Sequence, residues 1–248
     1  MIWLRSFVYT SLLFASVLPY SLAVIVAGLI SPNYQYVVAR SWATVNLWML
    51  RTICGLSYTV EGTENIPKQN CVVYLKHQSV FETILPFTIF PVQSFVLKRE
   101  LMWVPILGWA LKYIEPIAIN RRAGGTAVKQ VVRQGKDRIA AGRWIIIFPE
   151  GTRVAPGTTR RYGLSGALLA READRPILPV AHNAGDFWRR RGLRKHPGNI
   201  RVVIGPPIDP DGKTPAEINS LAQAWMETTM GRISTNYLKF GEKKPNTS

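Results

Sequence analysis

The chain has 248 residues, with 31 Lys and Arg against 15 Asp and Glu, a formal net charge of +16 at pH 7. At 47% hydrophobic and 19% charged it is too apolar for a disordered polyelectrolyte, and two cysteines, Cys54 and Cys71, are too few for a disulfide framework. No Cys/His cluster has zinc-ligand spacing, so no metal is expected. Positive charge on an apolar chain fits an anionic membrane surface, whereas nucleic-acid binding has no recognisable module here to support it.

The first element is an uncharged run of 25 residues, Ser6 to Ile30. As a helix it would extend roughly 37 Å, enough for a bilayer core of ~30 Å. A cleaved leader fits less well, because the run is long and no small-x-small site precedes a polar start. Pro19 should kink or break this helix and favour a shallow, bent insertion. After a turn at Pro32, residues 33–54 show helical spacing of Val37, Val38, Trp42, Val45, Trp48, Met49 and Ile53. Interfacial tryptophans point to a second element in or against the bilayer; the alternative is a helix packed on the soluble core. Residues 1–54 are thus expected to form a two-helix membrane anchor, and residues 55–248 an α/β domain. Nineteen of the 31 basic residues fall between Lys112 and Arg201, which places that domain on the cytoplasmic face of a bacterial-type inner membrane.

Beyond Cys54, short β-branched runs alternate with helical patterns. Strands are expected at 56–61, 71–76, 94–98, 116–120, 144–148, 177–180 and 200–204, with helices at 81–89, 99–113, 126–141, 164–171 and 215–240 and a polar tail at 241–248. Continuous apolar runs such as Ile145-Ile146-Ile147 belong to strands covered on both faces. The expected fold is α/β: a mainly parallel mixed sheet of about seven strands flanked by helices.

Ligand chemistry in such sheets gathers at the carboxyl ends of strands. Two distinctive segments fall there. In Lys76-His77-Gln78-Ser79-Val80-Phe81-Glu82, His77 and Glu82 are five apart, about 140° off-face on a regular helix. They can cooperate only if His77 lies in the loop and Glu82 opens the helix. Glu82 also completes a Ser79-x-x-Glu82 capping box, and that role competes with orienting a general base. In Phe148-Pro149-Glu150-Gly151-Thr152-Arg153, a glycine, a hydroxyl and a guanidinium make a phosphate cradle or a solvated turn. Arg121 follows another strand and is either a phosphate ligand or surface charge. There is no nucleophile elbow, Walker loop or dinucleotide fingerprint, and direct attack by an acceptor is favoured over a covalent acyl-enzyme.

The segments His77-x-x-x-x-Glu82, Pro116 to Arg121, Phe148 to Arg153 and Ile177-Leu178-Pro179-Val180 stand in the order and spacing of four motif blocks. On them the chain resembles the glycerolipid acyltransferases, and within these the lysophosphatidate acyltransferases, over residues 56–205. The resemblance implies acyl transfer from acyl-CoA or acyl carrier protein to the sn-2 hydroxyl of 1-acyl-sn-glycerol-3-phosphate, giving phosphatidate, with no cofactor. It makes His77 the base and Glu82 its orienting acid. It places Arg121, Glu150, Gly151, Thr152 and Arg153 on the acceptor phosphate, and Pro179 at the acyl donor. Glu82 replaces the family's usual Asp, and Asn120 a common Asp. Runner-up readings are another lyso-lipid acceptor (lyso-ornithine lipid or lysophosphatidylcholine) and a non-catalytic binder of anionic membranes. The basic run Arg189 to Lys195 matches no motif block.

Overall fold

The computed structural model describes residues 1–31 and 33–237. The turn expected at Pro32, residues 238–240 of the expected 215–240 helix and the polar tail lie outside them; within the described residues that helix ends earlier than expected, at Ile233. In chain order the elements are helices α1 (Ile2–Ile30) and α2 (Tyr34–Cys54), strands β1 (Leu56–Glu61) and β2 (Val72–Leu75), then short helices α3 (Phe81–Ile84) and α4 (Pro86–Ile89). They continue with β3 (Gln93–Lys98), α5 (Leu107–Ile114), β4 (Ile117–Ile119), α6 (Gly125–Ala140), β5 (Trp144–Ile147) and α7 (Ser165–Ala173). The chain then forms β6 (Ile177–His182), α8 (Ala184–Phe187), β7 (Gly198–Ile204) and α9 (Pro215–Ile233).

All seven strands join one sheet in the order β1-β7-β6-β2-β5-β3-β4. Every pairing is parallel except β6 with β7, which is antiparallel. There the connection after α8 doubles back on itself at the antiparallel Trp188–Lys195 bridge instead of crossing over the sheet. Alternation along each strand splits the core into two layers. Val73 and Ile146 face one side, packed with Leu47, Leu50 and Cys54 of α2. Val72, Tyr74, Ile145 and Ile147 face the other, packed with residues of α6, α7 and α9. Two expected helices are divided by proline. Pro86 starts α4 directly after α3, and Pro105 separates a 3-10 turn at Arg99–Trp103 from α5. A capping box of Thr214 and Glu217 starts α9.

Contrary to the expected break, α1 runs unbroken through Pro19. Packing against α2 supports the helix there: Ser16 Oγ, one turn before the proline, accepts the indole N–H of Trp42 at 3.0 Å. Of the two N-terminal helices only α1 is long and apolar enough to cross a membrane among the described residues. The expectation of a pair is corrected in that respect, because α2 spends one face on the sheet: Ala43, Leu47, Leu50 and Cys54 are buried in the core. The basic run finds a structural place as well. Lys195 Nζ lies over the rings of both Tyr9 and Trp188, which pack edge to face; its backbone N–H donates to Ser6 Oγ at 2.8 Å, and the Arg194 guanidinium covers Trp3. At the other end of α1, Gly28 lies tight against the Tyr113 ring of α5.

Candidate active site

His77 follows the carboxyl end of β2, and Glu82 is the second residue of α3. The carboxylate turns back over the loop. Its Oε1 lies 3.0 Å from His77 Nδ1 and accepts the backbone N–H groups of Gln78 at 2.7 Å and Ser79 at 2.5 Å. One oxygen therefore both anchors the loop and holds the imidazole; the expected capping box forms only by half, because Val80 rather than Ser79 is the N-cap of α3 and the Ser79 hydroxyl accepts the Phe81 N–H. The extra methylene of Glu relative to Asp is absorbed by this backward turn. Burial would raise the Glu82 carboxyl, but the His77 hydrogen bond, the neighbouring His182 and His77 imidazoles and the Ser79 N–H together hold it below the usual range. With Nδ1 engaged on Glu82, Nε2 is the ring nitrogen left for chemistry. Phe148 stacks on the imidazole with centroids 4.0 Å apart, and the His77 carbonyl accepts the Val154 N–H at 2.8 Å.

His77 opens onto a cleft of about 450 Å³. Its walls are mostly apolar, with Val24 of α1, Trp42 of α2, Phe87 of α4, Phe95 of β3 and Leu107 and Ile114 of α5. Lys98, Arg121 and Arg153 line the same cleft. Arg153 Nε is buried without a hydrogen-bond partner among the described residues. Arg121 donates to the Gly151 carbonyl, which ties the end of β4 to the loop after β5. Gly151 has φ of +68° with open space beside it, so the glycine serves the left-handed turn and leaves the backbone approachable. Thr152 lies in this loop, half-buried, on a second cleft shared with Arg121 and Gly151.

Two expected ligand residues are engaged within the protein. Glu150 borders the second cleft with Arg121, Gly151 and Thr152, but its carboxylate is buried 2.9 Å from Lys76 Nζ, which also binds Glu227 at 2.8 Å. Tyr162 donates to that same Glu227 oxygen at 2.8 Å. An anion would be repelled by this carboxylate, whereas the buried ammonium requires it. Pro179 is buried in β6, paired with Tyr74 of β2, and is not among the residues that line the cleft of His77. Its ring is part of the sheet. Reading the sequence missed Lys76, which hides in an apolar strand run, and Phe148, which reads as one more strand residue. It also missed His182, fully buried at the end of β6 with Nε2 3.7 Å from Glu82 Oε2. A histidine closing a strand next to β2 in the sheet was the available signal for that residue. Among the described residues no group of three His, Cys, Asp or Glu could hold a metal ion.

The Lys76 cluster generates a pH dependence. Burial lifts the Glu150 carboxyl to about 7, Lys76 opposing and Glu227 adding to the rise. The folded protein then keeps a proton that the unfolded chain releases in the ordinary carboxylate range. This contribution is complete below that range and is lost as pH rises toward about 7. Glu150→Gln, neutral at every pH, is expected to flatten the fall in melting temperature between about pH 5 and 8. Thermal melts of the two proteins across that range check it, and parallel curves would refute it.

A family model described as Acyltransferase matches residues 57–183. The 1-acyl-sn-glycerol-3-phosphate acyltransferase of Pseudomonas aeruginosa is 43% identical over 216 residues, covering 86% of this chain and 84% of that protein. The mouse 1-acyl-sn-glycerol-3-phosphate acyltransferase alpha is 30% identical over 200 residues, 77% of this chain and 70% of that one. The crystal structure of the 1-acyl-sn-glycerophosphate acyltransferase PlsC from Thermotoga maritima superimposes with a TM-score of 0.78 at 22% identity, covering 97% of both chains, and attests the fold. Matched by the family model across half its length and by a bacterial relative across most of it, the chain belongs to the 1-acyl-sn-glycerol-3-phosphate acyltransferase family.

Proposed function

We propose that this chain transfers a fatty acyl group from acyl-CoA or acyl carrier protein to the sn-2 hydroxyl of 1-acyl-sn-glycerol-3-phosphate, forming phosphatidate. The observation that carries the reading is the Glu82-held imidazole opening onto an apolar cleft that also holds two guanidinium groups. His77 Nε2 takes the proton of the acceptor hydroxyl as its oxygen attacks the thioester carbonyl. A positioned base of this kind contributes on the order of 10²–10⁴-fold. Glu82 keeps the ring in the Nδ1–H tautomer and stabilises the imidazolium that forms. The tetrahedral intermediate collapses, the thiolate leaves and the imidazolium returns the proton to it. Arg153 and Arg121 grip the acceptor phosphate and so bring the hydroxyl to His77. Gly151 and Thr152 complete the phosphate side, and the cleft takes acyl chain.

Residues 1–54 attach the enzyme to the membrane, with the α/β domain of residues 55–248 on the cytoplasmic face of a bacterial-type inner membrane. The attachment is to one leaflet. Contacts of α1 with the rest of the chain occur near both its ends, at Ser6 and Thr10 with Lys195 and at Gly28 with Tyr113. Roughly 33 Å of helix separates them. A helix crossing the bilayer would carry Lys195 and Tyr113 to opposite surfaces, so α1 lies along the membrane instead.

Purified enzyme in detergent should release thiol from acyl-CoA only when lysophosphatidate is present. His77→Ala should abolish that release while leaving vesicle flotation intact, and an active His77→Ala protein would refute the base. Arg153→Ala should raise the KM for lysophosphatidate about tenfold or more, with the KM for acyl-CoA little changed. An unchanged acceptor response would remove Arg153 from the phosphate. For the single-leaflet attachment, a tag preceding Met1 should be cut by protease applied to the cytoplasmic face; a protected tag would mean that α1 crosses.

A further inference from the structure

His182 has no part in the mechanism above. It closes β6 beside the end of β2 and is fully buried. Its Nε2–H donates to the Lys76 carbonyl at 2.8 Å, and its Nδ1 accepts the Ala184 N–H at 3.2 Å. An acceptor on one side and a donor on the other leave one tautomer, the neutral imidazole protonated at Nε2. Glu82 Oε2, 3.7 Å from that Nε2, has no hydrogen-bond partner among the described residues. All three hydrogen bonds to Glu82 go to its other oxygen.

We propose that His182 is a positioning residue for acyl transfer: as a permanently neutral imidazole it fixes the Lys76 carbonyl immediately before His77 and sets the Nε2–H edge of its ring 3.7 Å from Glu82 Oε2, keeping that carboxylate ionised and oriented behind the base. This rests on the reading of His77 as the base. Chemistry explains the choice of residue. An apolar side chain would leave the Lys76 carbonyl facing a dry interior without a donor and would remove the polar ring edge beside Glu82 Oε2. A cation would draw on the Glu82 charge that has to stabilise the imidazolium at His77. The groups facing His182 are His77, Glu82, the Lys76 carbonyl and the Phe81 ring on the β2–α3 segment, and the Ala184 N–H on α8. The Lys76 ammonium points away, to Glu150 and Glu227. Burial pushes the His182 pKa below the ordinary histidine range, Glu82 and the Lys76 carbonyl oppose it, and the charges of His77 and Lys76 lower it further.

The chain has three histidines, His77, His182 and His196, so nitrogen-15 histidine labelling of the full-length protein in micelles gives a readable spectrum. One ring, identified by its loss in His182→Gln, should remain neutral and Nε2-protonated from about pH 5.5 to 8.5. Titration of that ring, or the other tautomer, would overturn the proposal. In acyl-CoA assays His182→Leu should lose about 10–100-fold in kcat, with both KM values within about twofold. Its acidic limb should move to higher pH, because a carboxylate stripped of a dipole holds the His77 proton more tightly. His182→Gln, which restores a donor, should recover to within about threefold of the parent. Loss of melting temperature with raised KM and an unmoved acidic limb would mean a structural role and sink the idea. If His182→Leu fails to fold, the spectrum and the Gln variant decide. An active His77→Ala enzyme would instead remove the base itself, and the His182 tautomer would still be read independently.

Discussion

A single carboxylate oxygen organises the catalytic end of this sheet. Glu82 Oε1 collects the imidazole of His77 and the N–H groups of Gln78 and Ser79, all from a loop that would otherwise leave those donors unpaired at the carboxyl end of β2. Each of these contacts is a charge-assisted hydrogen bond in a dry setting, where such bonds are strong and their loss is costly. The charge that shapes the loop is the same charge that orients the base. Altering the carboxylate therefore cannot change the imidazole alone, because the backbone carrying the imidazole is held by it as well.

A second polar centre lies next to the first. Lys76 precedes His77 directly, and its ammonium is surrounded by Glu150 and Glu227 in a fully buried cluster. Glu150 opens the loop that carries Gly151, Thr152 and Arg153, and Glu227 lies on α9. The strand that delivers His77, the loop that delivers Arg153 and a helix from the far end of the chain are thus joined through one ammonium. Buried charges of this kind contribute little net stability, but removing one partner strands the others. The cluster fixes the relative placement of His77 and Arg153.

The sheet was legible in the sequence because its strands are short β-branched runs punctuated by glycine and proline. All seven were located, with ends displaced by a residue or two. The antiparallel pairing of β7 with β6 was not legible, because it depends on how the connection after β6 doubles back rather than on the strand's own residues. His77 and Glu82 could be paired because both sit on one loop, and local spacing constrained the geometry. The ion pair of Glu150 was not legible for the opposite reason. Its partners are Lys76, 74 residues earlier, and Glu227, 77 residues later, and no local pattern announces a buried ion pair between them. Pro179 was assigned to the ligand by motif alone, and the register of β6 against β2 places it in the interior. The two faces of α2 look alike in composition; only the sheet beneath it distinguishes the buried Leu47 and Leu50 from the exposed Trp48.

The same packing links attachment to catalysis. Val24 and Trp42, from the two N-terminal helices, form part of the wall of the cleft into which His77 opens, while Leu47 and Leu50 of α2 enter the core beneath the sheet. The helices are therefore structural members of the site, and removing them would strip apolar wall from the cleft as well as expose core. A hydrocarbon chain gains roughly 0.8 kcal/mol for each methylene taken out of water, so it is driven into a cleft of this composition without specific polar contacts. In the proposed reading, Arg121 and Arg153, which line the same cleft, hold the phosphate of that acceptor outside the apolar region. Opposing preferences at the two ends of one amphiphile fix its direction, and the hydroxyl between them arrives where Glu82 has left His77 one nitrogen free.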